Sequence, residues 1–90
     1  MKIIVSKRFS KDSDDLPIHI CKQLDKFFDF CDTINNINEL WYIFDIKKTK
    51  WTSDKYRIRL WDYRIGLFYE QESITLLRIL PRWEIYKYFP

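Results

Sequence analysis

Ninety residues set the scale of one domain, and a chain that is 47% hydrophobic and 19% aromatic has material for a packed core. The net charge is +3, with one glycine and three prolines, which leaves no flexible linker, low-complexity tract or internal repeat. A membrane helix needs about 18 to 20 apolar residues in a row, and the longest such run here is "LWYIF", Leu40 to Phe44. The opening "MKIIVSKRFSKD" is charged too early for a secretory signal. A cytoplasmic protein without a membrane partner is expected.

The first element is a short strand, "KIIVS" from Lys2 to Ser6, rich in β-branched residues. "SKDSDD", Ser10 to Asp15, offers capping side chains and negative charge, a helix-start signal. Pro17 suits the first turn. From Leu16 to about Ile34 the apolar positions are Ile20, Cys21, Leu24, Phe27, Phe28, Cys31 and Ile34, the spacing of an amphipathic helix. Its other face carries Lys22, Asp25, Lys26, Asp29 and Asp32. Cys21 and Cys31 would lie about 15 Å apart along that helix, too far for a disulfide, whose Cα atoms come within about 7 Å. They are expected as small buried apolar groups, and no spacing predicts a metal site. His19, the single histidine, is expected at the surface or at the helix cap.

"NNINELWYIF" begins a second short helix, and Phe44 to Lys50 is a strand or extended edge. Thr52 to Asp54 form a turn. Three strands follow, Lys55–Leu60, Tyr63–Glu70 and Ile74–Leu80, with "QES" closing the second hairpin and "RWEIYKYFP" a terminal turn or helix. The expected fold is α+β: an N-terminal strand and one or two helices packed on a curved, mainly antiparallel four-stranded sheet.

Charge is spread unevenly. Residues 1–44 hold six basic and seven acidic side chains; residues 45–90 hold ten and six. Lys47 to Arg64 alone contains seven basic and two acidic residues, a footprint for a polyanion. With Trp61 and Asp62 as a two-residue turn, Arg59 opposes Arg64 and Arg57 opposes the lone Gly66. Alternation then puts Tyr56, Ile58, Leu60, Tyr63, Ile65 and Leu67 on the core face and Arg57, Arg59, Arg64 and Gly66 on the other. Like charges opposed across strands cost some tenths of a kcal/mol. A strand glycine often marks a close backbone approach. A phosphate backbone lying across this face explains both; surface arginines paired with Glu70 and Glu72 are the bland alternative. Arg82 and Tyr86 share a face if the tail is helical, with Trp83, Tyr88 and Phe89 as aromatic surface for unpaired bases. Lys47, Lys48, Lys50, Lys55 and Trp83 are the expected RNA contacts beside them.

The segments "KYRIRLWDYRIGLFYE" and "ITLLRILPRWEIYKYFP" resemble the RelE/ParE superfamily of toxins from type II toxin–antitoxin systems, most closely its RelE branch of messenger-RNA interferases. The match covers Lys47 to Pro90 well and the N-terminal half in layout only, and it reads 1–90 as one RelE-like domain. The resemblance implies an endoribonuclease that cleaves messenger RNA on the ribosome without metal or other cofactor, by attack of the 2′-hydroxyl on the adjacent phosphate. It implies a cognate antitoxin, and contact with DNA only through the toxin–antitoxin complex. The family's basic strand positions match Arg57 and Arg59, its "YR" arginine Arg64, its pre-terminal basic residue Arg82 and its terminal tyrosine Tyr86, which makes these five the expected catalytic set. Two departures stand out. Arginine replaces lysines that can act as a base, leaving Tyr86 or a purely electrostatic mechanism, with Lys55 and Lys50 as substitutes. Pro81 stands where relatives place histidine. The alternatives are a ParE-like gyrase inhibitor, a catalytically weakened homologue acting only with its antitoxin, and a plain RNA-binding module.

Overall fold

In the computed structural model, residues 1–42, 44–49 and 54–89 are described, with the side chains of Trp41 and Tyr42 outside that description. Strand β1, Lys2–Val5, leads into helix α1, Lys7–Ser13. Ser6 is the N-cap: its Oγ accepts from the Phe9 amide at 3.1 Å, satisfying one of the orphan donors of the first turn. The "SKDSDD" stretch read as a helix start is therefore the end of α1, because the capping serine stands earlier in the chain. Asp12 and Ser13 still belong to the helix, and Asp14 closes it.

Helix α2, Ile18–Cys31, buries Ile20, Leu24, Phe27 and Cys31, the apolar stripe read from their spacing. Pro17 is its N-cap rather than a first-turn residue, and its carbonyl accepts from the Ile20 and Cys21 amides. The N-terminal ammonium of Met1 donates to the carbonyls of Cys31 and Ile34, at 3.3 and 2.7 Å. That puts a positive charge at the negative end of the α2 dipole. Both cysteines are free; Cys31 is fully buried, and burial pushes its thiol up to about 12, whereas Cys21 is only half-buried, against the expectation, with its Sγ donating to the Leu16 carbonyl.

A 3₁₀ turn, Ile37–Tyr42, follows, seated by buried Leu40. The Glu39 carboxylate accepts from the amides of Asn35 and Asn36. Strands β2, Ile46–Lys48, β3, Lys55–Leu60, β4, Tyr63–Glu70, and β5, Ser73–Pro81, complete the sheet, and helix α3, Ile85–Tyr88, ends it. The order is β1-β5-β4-β3-β2, with β1 parallel to β5 and every other pair antiparallel. The sheet thus has five strands rather than the expected four, since the segment left as strand or edge does pair with β3. Of the expected Thr52–Asp54 turn, Thr52 and Ser53 lie outside the described residues.

One core fills the space between α1, α2 and the sheet, with Ile58, Ile65, Leu67, Ile74 and Leu76 fully buried beneath Phe9 and Phe27. The opposite sheet face is covered only in part, by the tail. Buried Phe89 lies on Gly66, where an added Cβ would stand 2.6 Å from the ring. Gly66 is small for an approach, as a strand glycine often is, but the approaching group is the chain's own phenylalanine, not a phosphate backbone. Phe89 is accordingly core rather than aromatic surface.

Candidate active site

The β3–β4 hairpin has the register derived from its sequence: Leu60 opposes Tyr63, Arg59 opposes Arg64, Ile58 opposes Ile65 and Arg57 opposes Gly66. Ile58, Leu60, Ile65 and Leu67 are buried and Tyr56 and Tyr63 half-buried against the core, which sends the three arginines to the other face. Lys47 opposes Arg57 across β2 and joins that face. There Arg57, Arg59, Arg64, Lys47, Tyr86 and Asp45 enclose a cleft of about 130 Å³. With roughly 30 Å³ per water, it accommodates a few water molecules or one phosphate group. Its lining offers four cationic side chains to one carboxylate.

Each member is held by a different element. Arg64 Nη1 donates to the carbonyls of Trp61 and Tyr63, both at 2.9 Å, so the guanidinium is tied to its own hairpin turn. Burial first, then the neighbouring Arg59, lowers its pKa, although a guanidinium stays charged at neutral pH. The Arg57 guanidinium lies over the Tyr86 ring, 4.6 Å from its centroid, within cation–π range. Asp45 is placed by its backbone, whose carbonyl accepts from the Arg59 amide at 2.8 Å. Among the described residues the ion pairs are Arg78–Asp12 and His19–Asp62, so Glu70 and Glu72 do not neutralise the cluster.

Besides Phe89, the tail is held to the sheet through Arg78. Arg78 makes a bidentate pair with Asp12, at 2.8 and 3.0 Å, and its guanidinium sits 5.0 Å from the Tyr88 ring. The hydrogen bond to Asp12 raises the Arg78 pKa. Helix α3, too short to stand alone, is thus pinned, and Tyr86 with it.

The remaining expected site residues fall in several places. Arg82 is exposed in the turn before α3, so it does not share a helix face with Tyr86; its charge still acts on Arg64, and its amide donates to the Asp62 carbonyl. Trp83 is exposed beside it. Lys48 opposes Tyr56 and so belongs to the other side of the sheet from the arginines, because side chains alternate along β2. Lys55 is on the arginine face, at the opposite end of β3 and outside the cleft. Lys50 lies outside the described residues. His19 is exposed on α2, with Nε2 4.0 Å from Asp62 Oδ1. Asp45 is the residue that sequence reasoning missed. Its only signal was position, one step before a basic strand.

No family model matches the chain. It is 40% identical over its whole length, and over the whole of the relative, to Toxin RelE3 of Methanocaldococcus jannaschii. The chain belongs to the RelE toxin family. Its fold agrees with the crystal structure of a RelB–RelE antitoxin–toxin complex from Methanococcus jannaschii, at TM-score 0.83 and 37% identity over 97% of this chain and 99% of that one. An archaeal RelE–RelB complex from Pyrococcus horikoshii follows at TM-score 0.69 and 26% identity, over 90% and 93%. A copper-bound mutant toxin from Helicobacter pylori, at TM-score 0.58 and 16% identity over 94% and 98%, shares the fold. The phosphate-sized cleft is lined mainly by the chain's most basic segment, and the wide cleft of about 740 Å³ beside Glu70 and Glu72 does not repeat that charge.

Proposed function

We propose that this RelE-family chain is the toxin of a toxin–antitoxin pair and a metal-independent endoribonuclease that cuts messenger RNA on the ribosome. The observation that carries the reading is the cleft in which Arg57, Arg59, Arg64 and Lys47 converge with Tyr86 and Asp45. Four cations around a space of phosphate size suit a scissile phosphodiester, whose charge grows in the pentacoordinate transition state. Donors placed for that state commonly contribute a few kcal/mol. The arginines perform the charge stabilisation for which other nucleases use a metal.

Proton transfer falls to the other two residues. Arginine cannot accept a proton, whereas the Asp45 carboxylate can. Asp45 takes the proton of the 2′-hydroxyl as its oxygen bonds to phosphorus. The bond from phosphorus to the 5′-oxygen breaks, and the Tyr86 hydroxyl donates to that leaving oxygen. The products are a 2′,3′-cyclic phosphate and a free 5′-hydroxyl. Pro81 removes the histidine route, and Tyr86 fills it. Arg82, Trp83 and Lys55 serve as outlying contacts to the RNA strand.

The partner of such a toxin is an antitoxin of the RelB kind, since two archaeal relatives are held in RelB–RelE complexes; the basic face of this chain calls for an acidic segment in that partner. The ribosome, and hence the cytoplasm, is where it acts. The test is expression in bacteria from a tight promoter with mapping of messenger-RNA ends. Codon-positioned cuts that vanish with Arg64→Ala and with Asp45→Asn are the expected result. Growth arrest with intact messages and disturbed DNA topology would overturn the reading in favour of a gyrase target.

A further inference from the structure

We propose that the cleft between α2 and the β3–β4 turn is a nucleobase subsite, seating the base next to the phosphate held by the arginine cluster. This rests on the RNA-cleaving reading of that cluster and assigns a ligand to a second, adjoining cavity. The cleft has a volume of about 330 Å³, at the lower end of the roughly 300 to 1,000 Å³ that ligand pockets span. Two of its lining residues, Asp45 and Arg59, also line the phosphate-sized cleft, so the cavities adjoin. A nucleotide has a matching build, a flat ring carried by a ribose that also bears the phosphate.

The walls suit a ring. Phe44 and Phe30 line the cleft with centroids 5.9 Å apart, and Phe44 is held edge-on to core Phe27 at 5.3 Å, which makes this wall rigid. Trp61 forms the rim, 61% exposed, with His19 edge-on at 6.0 Å. Gln23 and Lys26 of α2, three residues apart and therefore neighbours on one helix face, add the polar groups. The Gln23 amide carries both donors and an acceptor, the complement of a base edge, and the Lys26 ammonium only donors. Aromatic planes for stacking with a few hydrogen-bonding groups are how unpaired bases are read.

A second observation is independent of the cavity. Trp61 has φ 60°, and Asp62, the other turn residue, is not in the left-handed region. Positive φ at the first central position alone is the type II′ pattern, which favours glycine there. A bulky side chain at that φ is a strained choice. The strain is held by the hairpin register and by the Arg64 bond to the Trp61 carbonyl. A glycine would fold this turn more easily and would display no indole.

The test uses the full chain and a trinucleotide made uncleavable by a 2′-O-methyl group at the scissile position, followed by NMR. Saturable shifts of the Trp61 indole, Phe44 and Lys26 signals are expected, together with those of Arg59 and Arg64. Trp61→Gly should weaken trinucleotide binding about tenfold, leave inorganic phosphate binding unchanged, and keep or raise the thermal midpoint. Gln23→Ala should change the ranking of the four bases. Equal trinucleotide affinity in wild type and Trp61→Gly, with shifts confined to the arginines, would overturn the subsite. So would cleft signals that respond only to an antitoxin peptide. Trinucleotide binding at Trp61 in a chain that cuts no message supports the subsite and removes the nuclease reading, so the two failures are separable.

Discussion

Strand β4 runs between two turns that share a backbone device and open on different chemistry. Trp61 enters its first turn at φ 60°, while Gln71 and Glu72 take φ 48° and 62° in the second, so both hairpins place bulky residues where glycine is the easy choice. At the Trp61 end, four cations and Tyr86 face a narrow cleft. At the other end, a wider cleft of about 740 Å³ is lined by Glu70, Glu72, Lys2 and Asn35, with none of the arginines. Between them Phe89 caps Gly66 and divides the open sheet face in two. Size and charge do not run together here. The larger space lacks converging charge of one sign, whereas the smaller one has the charge density that a polyanion requires.

Four experiments break or sharpen that contrast. The largest effect is expected from Arg64→Ala, which removes a placed donor at the basic end. Codon-positioned cleavage, measured as message ends per unit toxin, should fall about 100- to 1,000-fold. Next is Gly66→Ala at the divide. The new Cβ would stand 2.6 Å from the Phe89 ring, so the tail must move. Overpacking of this kind costs about 1 to 3 kcal/mol, to be read by denaturant unfolding, and Tyr86 should lose its place under Arg57. Unchanged stability with the tail in position would mean that Phe89 is not held by Gly66.

The third concerns the acidic end, where Met1 ties β1 to the close of α2 beside Cys31. Burial raises the Cys31 thiol from 9.0 to about 12. The thiol therefore keeps its proton in the folded chain after the unfolded chain has lost it. The stabilisation is complete below pH 9 and is lost as pH rises toward 12, by about 1.4 kcal/mol per pH unit. Denaturant unfolding at pH 8 and pH 10 should show this loss in wild type and a shallower one in Cys31→Val. Equal slopes would place the pH dependence elsewhere. The smallest effect is expected from Glu70→Gln with Glu72→Gln. Both side chains are exposed, and cleavage should be unchanged, with stability within about 0.5 kcal/mol. A loss of cleavage there would erase the distinction between the two ends.

The hairpin was legible because strand alternation has period two and a two-residue turn leaves one register. Alternation alone puts Arg57, Arg59 and Arg64 on a common face. Helix α2 was legible from the steps between Ile20, Leu24, Phe27 and Cys31. Helix α1 was misread because several residues near it have capping chemistry, and Ser6 prevails through its contacts with β5: its amide donates to the Leu76 carbonyl and its Oγ to that of Leu77. Asp45 could not be chosen from the sequence, since a carboxylate before a strand has no intrinsic role.

The sequence by itself determined the core stripe of α2, the three strands from Lys55 onward, the β3–β4 register and the family, because these depend on local periodicity and on residue patterns close along the chain. Only the tertiary structure decided that Phe89 lies on Gly66, that Tyr86 comes under Arg57, and that Asp45 borders two adjoining clefts. Those contacts join segments far apart in sequence. Packing selects them, and no local spacing encodes the selection.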